Sequence, residues 1–338
     1  KSGLLQRLLY NIRVFARMSP QDKVTVVETY MKNGIMTAMC GDGGNDCSAL
    51  RAAHVGLALS DSEASVVSPF TGTSKSVMCM VDVLLEGRCA LYSSFAGYKF
   101  MIMYGQLETI NQVANAYFAI SFSEWCWVFL DGIWVLFLSF SIVRARPATK
   151  LSERRPTSSL LGYITMCSVC GNLLINFTFL VIALTLLLHQ DWYQCRKWDP
   201  ATADLTNVFG LGDNYESGVI FLVSGSQYLI TAAAFNFGSV YRQGWCANHL
   251  FVFLLAAFSV GQAVVCLIPS VWSCVFHVNC DNENRVWGVL DKNFSLILNP
   301  WHTTVMPESF RWKLFSLIVF NVIVALAFEY FVVLGPIS

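Results

Sequence analysis

The chain has 338 residues, 55% hydrophobic and 14% aromatic, and only 13% of them are charged. An average soluble domain carries about 25% charged residues, so this composition, with a mean hydropathy of +0.52, excludes an ordinary water-soluble globule. With 22 basic and 22 acidic side chains the net charge is zero, which points to no strongly charged partner, and no nucleic-acid partner is expected.

The chain opens "KSGLLQRLLY", without an initiator Met or a cleavable signal pattern, and is expected to be the tail of a longer polypeptide. "RVFA" reads as a short strand. In "RMSPQDKVTVVETYMKNG", Ser19 is a good N-cap, Pro20 suits the first helical position, Asp22 sits near the positive helix end, and Gly34 is a natural stop. "IMTAMC" is a short buried strand. The loop "GDGGND" follows, then a helix from about Asn45 to Ala53 and a strand in "HVGLAL". This alternation predicts half of a doubly wound parallel sheet in a domain spanning residues 1–90, with the glycine loop beyond the strand ends, where ligands of such sheets bind.

From residue 91 to 338 the chain reads as an all-α, polytopic membrane domain with the lipid bilayer as its solvent. Runs such as "LFVFLLAAFSVGQAVVCLI" approach the roughly 20 apolar residues that cross a bilayer. Six spans are expected, at about Phe95–Ile120, Trp125–Val143, Ile164–Leu188, Val219–Phe237, Leu250–Ser270 and Trp312–Leu334. The connection after the second holds Arg144, Arg146, Lys150, Arg154 and Arg155 against one acid, Glu153. The positive-inside rule places it, and with it the N-terminal domain, in the cytosol. Arg311 and Lys313 fall at an end assigned to the other side. On that side Cys274 and Cys280 could bridge, and Asn293 in "NFS" is a possible glycosylation acceptor.

The chemistry concentrates in two places. "GDGGND" is neither a phosphate-binding P-loop, lacking the Gly-Lys-Ser/Thr ending, nor an EF-hand, lacking the closing Glu. Two carboxylates, Asp42 and Asp46, at a strand end running into a helix suit Mg²⁺, which takes one or two carboxylates plus water and phosphate oxygens. An acidic structural turn is the alternative. Lys23 stands in the first turn of its helix against the helix dipole, a position that a phosphoryl group would explain and that a solvated surface lysine would also fill. The second place is the first span, where Glu108, Asn111, Gln112 and Asn115 fall at i, i+3, i+4 and i+7 on one helical face, with Tyr104 one turn earlier. A carboxylate at mid-membrane costs about 2.5–3.5 kcal/mol on insertion scales, so Glu108, and Asp131 in "WVFLDGIWV" of the second span, need partners. Two acids and an amide ladder suit a cationic substrate. The same groups could simply join helices.

"ARMSPQDK" followed by "MCGDGGNDCSALRAAHVGLAL" resembles the C-terminal half of the phosphorylation domain of P-type ATPases, a haloacid-dehalogenase-like fold. "LSDSEASVVSPFT", "EGRCALYSSF", "YKFMIMY" and "SQYLITAAAF" are similar to the type V, B-subgroup members, the polyamine-pump branch. The resemblance runs from about Val14 to the C-terminus. It implies ATP as substrate, Mg²⁺ held by Asp42 and Asp46, Asn45 helping to hold the phosphate region, and Lys23 stabilising the transferring phosphoryl group. It implies that Asp131 contacts a polyamine or other cation. It also implies a location in an endomembrane or the plasma membrane. The aspartyl-phosphate motif "DKTGT" of that family does not occur in this sequence, so the nucleophile is expected in an upstream half of the same polypeptide. Two further readings stand beside this one: a non-catalytic membrane module binding a partner or lipid, and a type V A-subgroup helix dislocase.

Overall fold

The computed structural model describes residues 11–59, 63–72, 74–193, 214–280 and 305–335. The chain divides into two compact units, Lys1–Gly87 and Arg88–Ser338.

In the first unit, helix α1 spans Pro20–Lys32. Ser19 and Asp22 close a reciprocal capping box at its start, satisfying N–H groups that the first turn leaves without partners. Past the C-cap Asn33, Gly34 takes φ +77°, the left-handed conformation that glycine adopts without penalty. Strand β1 is Ala38–Gly41, followed by a 3₁₀ turn Gly44–Asp46, helix α2 at Cys47–Ala52 and strand β2 at Val55–Ala58. A five-residue helix, α3 (Glu63–Val67), leads to strand β3, Phe70–Thr71. The sheet has three parallel strands in the order β1-β2-β3, with Ala38 opposite Val55 and Leu57 opposite Phe70. Leu50, Ala58 and Ala64 form its small core. "RVFA" is not a strand: residues 13–16 are irregular, and no described strand pairs with them. A strand without a ladder partner leaves its backbone groups to water, and β propensity alone does not hold it.

In the second unit, helix α4 (Met78–Phe118) enters from the first. Five helices are long and apolar enough to cross a membrane: α5 (Glu124–Ile142), α6 (Tyr163–Leu188), α7 (Tyr215–Ala234), α8 (His249–Leu267) and α10 (Glu308–Val333). A short helix α9 (Val271–Val275) follows α8. The first of the six expected spans lies within α4, which is not among the five; its Lys99, Glu108 and amides lower its hydropathy. The other starts differ from expectation by up to a turn, because caps such as Asn214 on α7 and Asn248 on α8, not the onset of apolar sequence, begin the helices.

Helix α7 is buried on every side by α6, α8 and α10. Its small residues permit this approach. A Cβ on Gly225 would lie 2.5 Å from the Trp134 ring and 2.8 Å from the Gln262 amide. The outward faces of the bundle carry Phe137, Leu174, Phe253 and Phe320, apolar groups suited to lipid. Arg311 is buried and donates to the Leu267 carbonyl, so it belongs to the packing of α10 against α8 and does not mark a membrane side. Cys274 and Cys280 are disulfide-bonded. Asn293 lies outside the described residues.

Candidate functional site

The acidic loop sits at the C-terminal end of β1, between Gly41 and α2. Lys23 Nζ meets Asp46 Oδ1 at 2.8 Å, with the Asp46 side chain 11% exposed. The sequence left open whether Lys23 was a surface lysine; the structure pairs it with Asp46, which offsets the unfavourable dipole of its helix. Asp46 is brought in by the 3₁₀ turn, where its N–H donates to the Gly43 carbonyl at 3.0 Å. A Cβ on Gly41 would stand 2.7 Å from Asp46 Cβ, and one on Gly43 would stand 2.7 Å from Asn45 Oδ1. Gly41 is therefore required by close approach of the loop to itself, whereas at Gly43 the near atom is the end of a side chain that can turn away. Asp42 and Asn45 are exposed at the rim. Burial raises the Cys40 thiol above its ordinary value of 9.0, with Cys79 and Asp42 adding to the shift.

In the membrane unit, Tyr104 donates to Asp131 Oδ1 at 3.1 Å. Tyr228, on α7, donates to Glu108 Oε2 at 3.1 Å, and the Gln112 amide donates to Glu108 Oε1 at 3.2 Å. The Tyr104 and Tyr228 rings lie 5.8 Å apart, so the two acid–tyrosine pairs adjoin. The ion pairs among the described residues, Lys23–Asp46, Lys32–Glu28 and Lys99–Glu329, include neither Glu108 nor Asp131. Asp131 sits in a π-helical stretch, Val128–Val135, a widening that recurs at functional sites. The expected polar face of α4 is divided: Asn111 and Asn115 are buried, Gln112 is exposed, and Glu108 lies between. Asn111 Oδ1 accepts from Ser224 at 2.6 Å, while neither polar atom of the Asn115 side chain has a partner.

Sequence reasoning missed Tyr228 and Ser224, whose role depends on α7 packing against α4. It also missed a second buried ionic group. Lys99 Nζ lies 3.0 Å from Glu329 Oε1, Ser168 Oγ is 2.8 Å from both Glu329 oxygens, and Asn172 donates to Oε2 at 3.0 Å. Glu329 likewise falls in a π-helical stretch, Phe328–Val333. A signal was present, since "LAFEYF" places a carboxylate inside an apolar run.

No family model matches the chain. Individual proteins do. It is 34% identical over 291 residues to the probable cation-transporting ATPase 13A4 of Gallus gallus, covering 79% of this chain and 24% of the relative. It is 32% identical over 285 residues to the human polyamine-transporting ATPase 13A3, with 79% and 23% covered. Against the mouse polyamine-transporting ATPase 13A2 it is 33% identical over 306 residues, with 87% and 24% covered. The chain is a homologue of the type 13A P-type ATPases. It spans about a quarter of the length of the curated relatives it matches. The type V B resemblance carried by the glycine loop and by "SQYLITAAAF" thus agrees with similarity over most of the chain. The transporter homologues and the five apolar helices together make this an integral membrane protein.

Proposed function

We propose that the chain is the carboxyl-terminal part of an ATP-driven P-type pump that moves polyamines or other cations across a membrane, with its phosphorylated aspartate elsewhere in the polypeptide. The observation that carries this reading is the similarity over 79% of the chain to proteins named as cation- and polyamine-transporting ATPases. In this reading the three-stranded unit is half of a haloacid-dehalogenase-like phosphorylation domain, and α4 supplies a sixth span.

The loop has the right donors for Mg²⁺. Asp42 and Asp46 offer two carboxylates, and no group of three His, Cys, Asp or Glu side chains able to hold a metal occurs among the described residues. Mg²⁺ accepts that set because phosphate oxygens and water complete its octahedron. When bound, the ion neutralises charge on the phosphate oxygens. The chain's own groups position the phosphoryl group. Lys23 is held at the site by Asp46 and directs its remaining N–H donors toward the phosphate oxygens. Asn45 stands exposed at the rim, where its amide can hydrogen-bond the same oxygens. Such placement of fixed charge is the main contribution a protein makes to phosphoryl transfer.

In the membrane, Glu108 and Asp131 accept from tyrosine hydroxyls and have no basic partner among the described residues. An ammonium group entering between them gains two carboxylates in a medium of low dielectric, and the amides Asn111, Gln112 and Asn115 extend the polar surface beyond them. The test uses the full-length polypeptide. Asp42→Asn and Asp46→Asn should each lower ATP turnover about 100-fold, as loss of one charge-stabilising group does. Asp131→Asn and Glu108→Gln should keep basal turnover and lose its stimulation by spermine. Normal turnover in both loop variants would refute the assignment of the loop, and retained stimulation in both membrane variants would refute the cation site.

A further inference from the structure

A polar column leads away from the paired acids between two antiparallel helices. Tyr228 meets Glu108 and Ser224 meets Asn111, so α7 runs back as α4 runs forward. In that register Asn115, one turn further along α4, falls level with Phe221, about one turn before Ser224 on α7. Asn115 is 3% exposed and neither polar atom of its side chain has a partner. A buried amide left without partners is costly, and an ammonium group on its way through would satisfy its carbonyl oxygen. The column points to the end of the bundle where α4 ends and α5 begins, opposite the Arg144–Arg155 loop that follows α5.

Aromatic rings close it there. Phe122, between α4 and α5, is fully buried, and its ring lies 6.4 Å from that of Phe221. Phe276, just after α9, stacks on Phe221 at 5.4 Å and meets Phe129 edge-on at 4.8 Å. Phe129 belongs to the π-helical stretch that carries Asp131. Phe276 is only half-buried, whereas Cys126, whose thiol donates to the Phe276 carbonyl at 3.3 Å, is 1% exposed. Phe276 is thus the outermost of the stacked rings, and the groups under it are shut in.

The turn that presents Phe276 is fastened on both sides of the ring. The Cys274–Cys280 disulfide closes it. Asn279 donates to the Val265 and Cys266 carbonyls of α8 at 2.9 and 3.0 Å, and its side-chain oxygen accepts from the Met306 N–H at 3.1 Å. His277 and Asn279 take φ +56° and +50°, left-handed values that persist where the surroundings impose them and that gather at ligand clamps and switch regions.

We propose that the cation's passage between the Glu108–Asp131 site and the bundle end opposite the Arg144–Arg155 loop runs past Asn111 and Asn115, and that Phe276 is the lid residue that closes it on Phe221 and Phe122. The inference rests on the pump reading above and adds to it a route and a positioning residue. The disulfide-closed turn sets the lid, and an ammonium group leaving the acids finds the Asn115 amide next.

The test uses the full-length protein in detergent. Phe276→Ala is compared with the wild type and with Phe137→Ala, on the outward face of the bundle. The first readout is the rate at which a cationic methanethiosulfonate labels Cys126, followed peptide by peptide by mass spectrometry. Phe276→Ala should label about tenfold faster, since two ring contacts that hold the lid are lost, and Phe137→Ala should match the wild type. The second readout is spermine-stimulated ATP turnover. Phe276→Ala should raise the half-maximal spermine concentration about tenfold, and Phe276→Leu, which restores an apolar cover, should recover most of it. If Phe276→Ala fails to fold, the Cys274→Ser, Cys280→Ser double variant, which frees the turn, decides by the same two readouts. Unchanged labelling of Cys126 overturns the lid. Faster labelling with an unchanged half-maximal concentration overturns its place on the cation's route, as does a fall in maximal turnover alone, the mark of a merely structural ring. If spermine stimulates no protein, the wild type included, the pump reading fails with its substrate, and the labelling still decides the lid.

Discussion

Replacing Lys99 with Met removes the cation facing Glu329. The Glu329 side chain is 1% exposed and would retain only Ser168 and Asn172 as donors. Breaking a buried pair by deleting one partner typically costs about 3–5 kcal/mol, because the remaining charge stays buried. Glu329→Gln is expected to be milder. The Lys99 ammonium would keep Ser168 Oγ at 3.0 Å and the Phe235 ring face at 4.5 Å, and a desolvated cation–π contact is worth about 2 kcal/mol. The double variant Lys99→Met with Glu329→Leu leaves no buried charge and should recover most of the loss, since apolar replacement of a whole buried pair is often neutral. At about 2–4 °C per kcal/mol for a large domain, Lys99→Met should lower the melting midpoint by roughly 6–20 °C. The assay is thermal melting of the purified protein in detergent, read by loss of the monodisperse chromatographic peak. An unchanged midpoint in Lys99→Met, or a double variant as unstable as the sum of the single ones, would refute the reasoning.

Gly41→Ala should place its methyl against Asp46 and displace the Lys23–Asp46 pair; ATP turnover of the full-length protein should fall, whereas Gly105→Ala, where a Cβ meets nothing within 4 Å, should leave it unchanged. Ser19→Ala removes the α1 cap and should destabilise the first unit by about 1 kcal/mol, measured as a shift in its urea midpoint. Because burial raises the Cys40 thiol, its thiolate fraction at neutral pH is small and grows only as pH rises toward the shifted value. N-ethylmaleimide should therefore label Cys40 more slowly at pH 7 than the exposed Cys246, and equal rates would contradict the shift. Reduction before alkylation should add two labels, at Cys274 and Cys280, by mass spectrometry.

Much of this protein was legible in its sequence because the relevant physics is local. Ser19, Pro20 and Asp22 encode a helix start within four residues, and Gly34 ends it. The apolar runs that became α5, α6, α7, α8 and α10 report their own transfer free energy. The loop "GDGGND" announces its strand-to-helix position by composition, and Gly41 leaves room for Asp46 against the backbone. What depends on partners far along the chain was not legible. "RVFA" has strand-forming residues and no neighbour to pair with. The tyrosine that serves Glu108 comes from α7, across 120 residues, and the lysine that meets Glu329 comes from across 230. Arg311 looks like an interfacial charge in one dimension and is buried in three. A side chain's own chemistry sets what it demands of its surroundings, and the tertiary packing of the helices decides which distant group meets that demand.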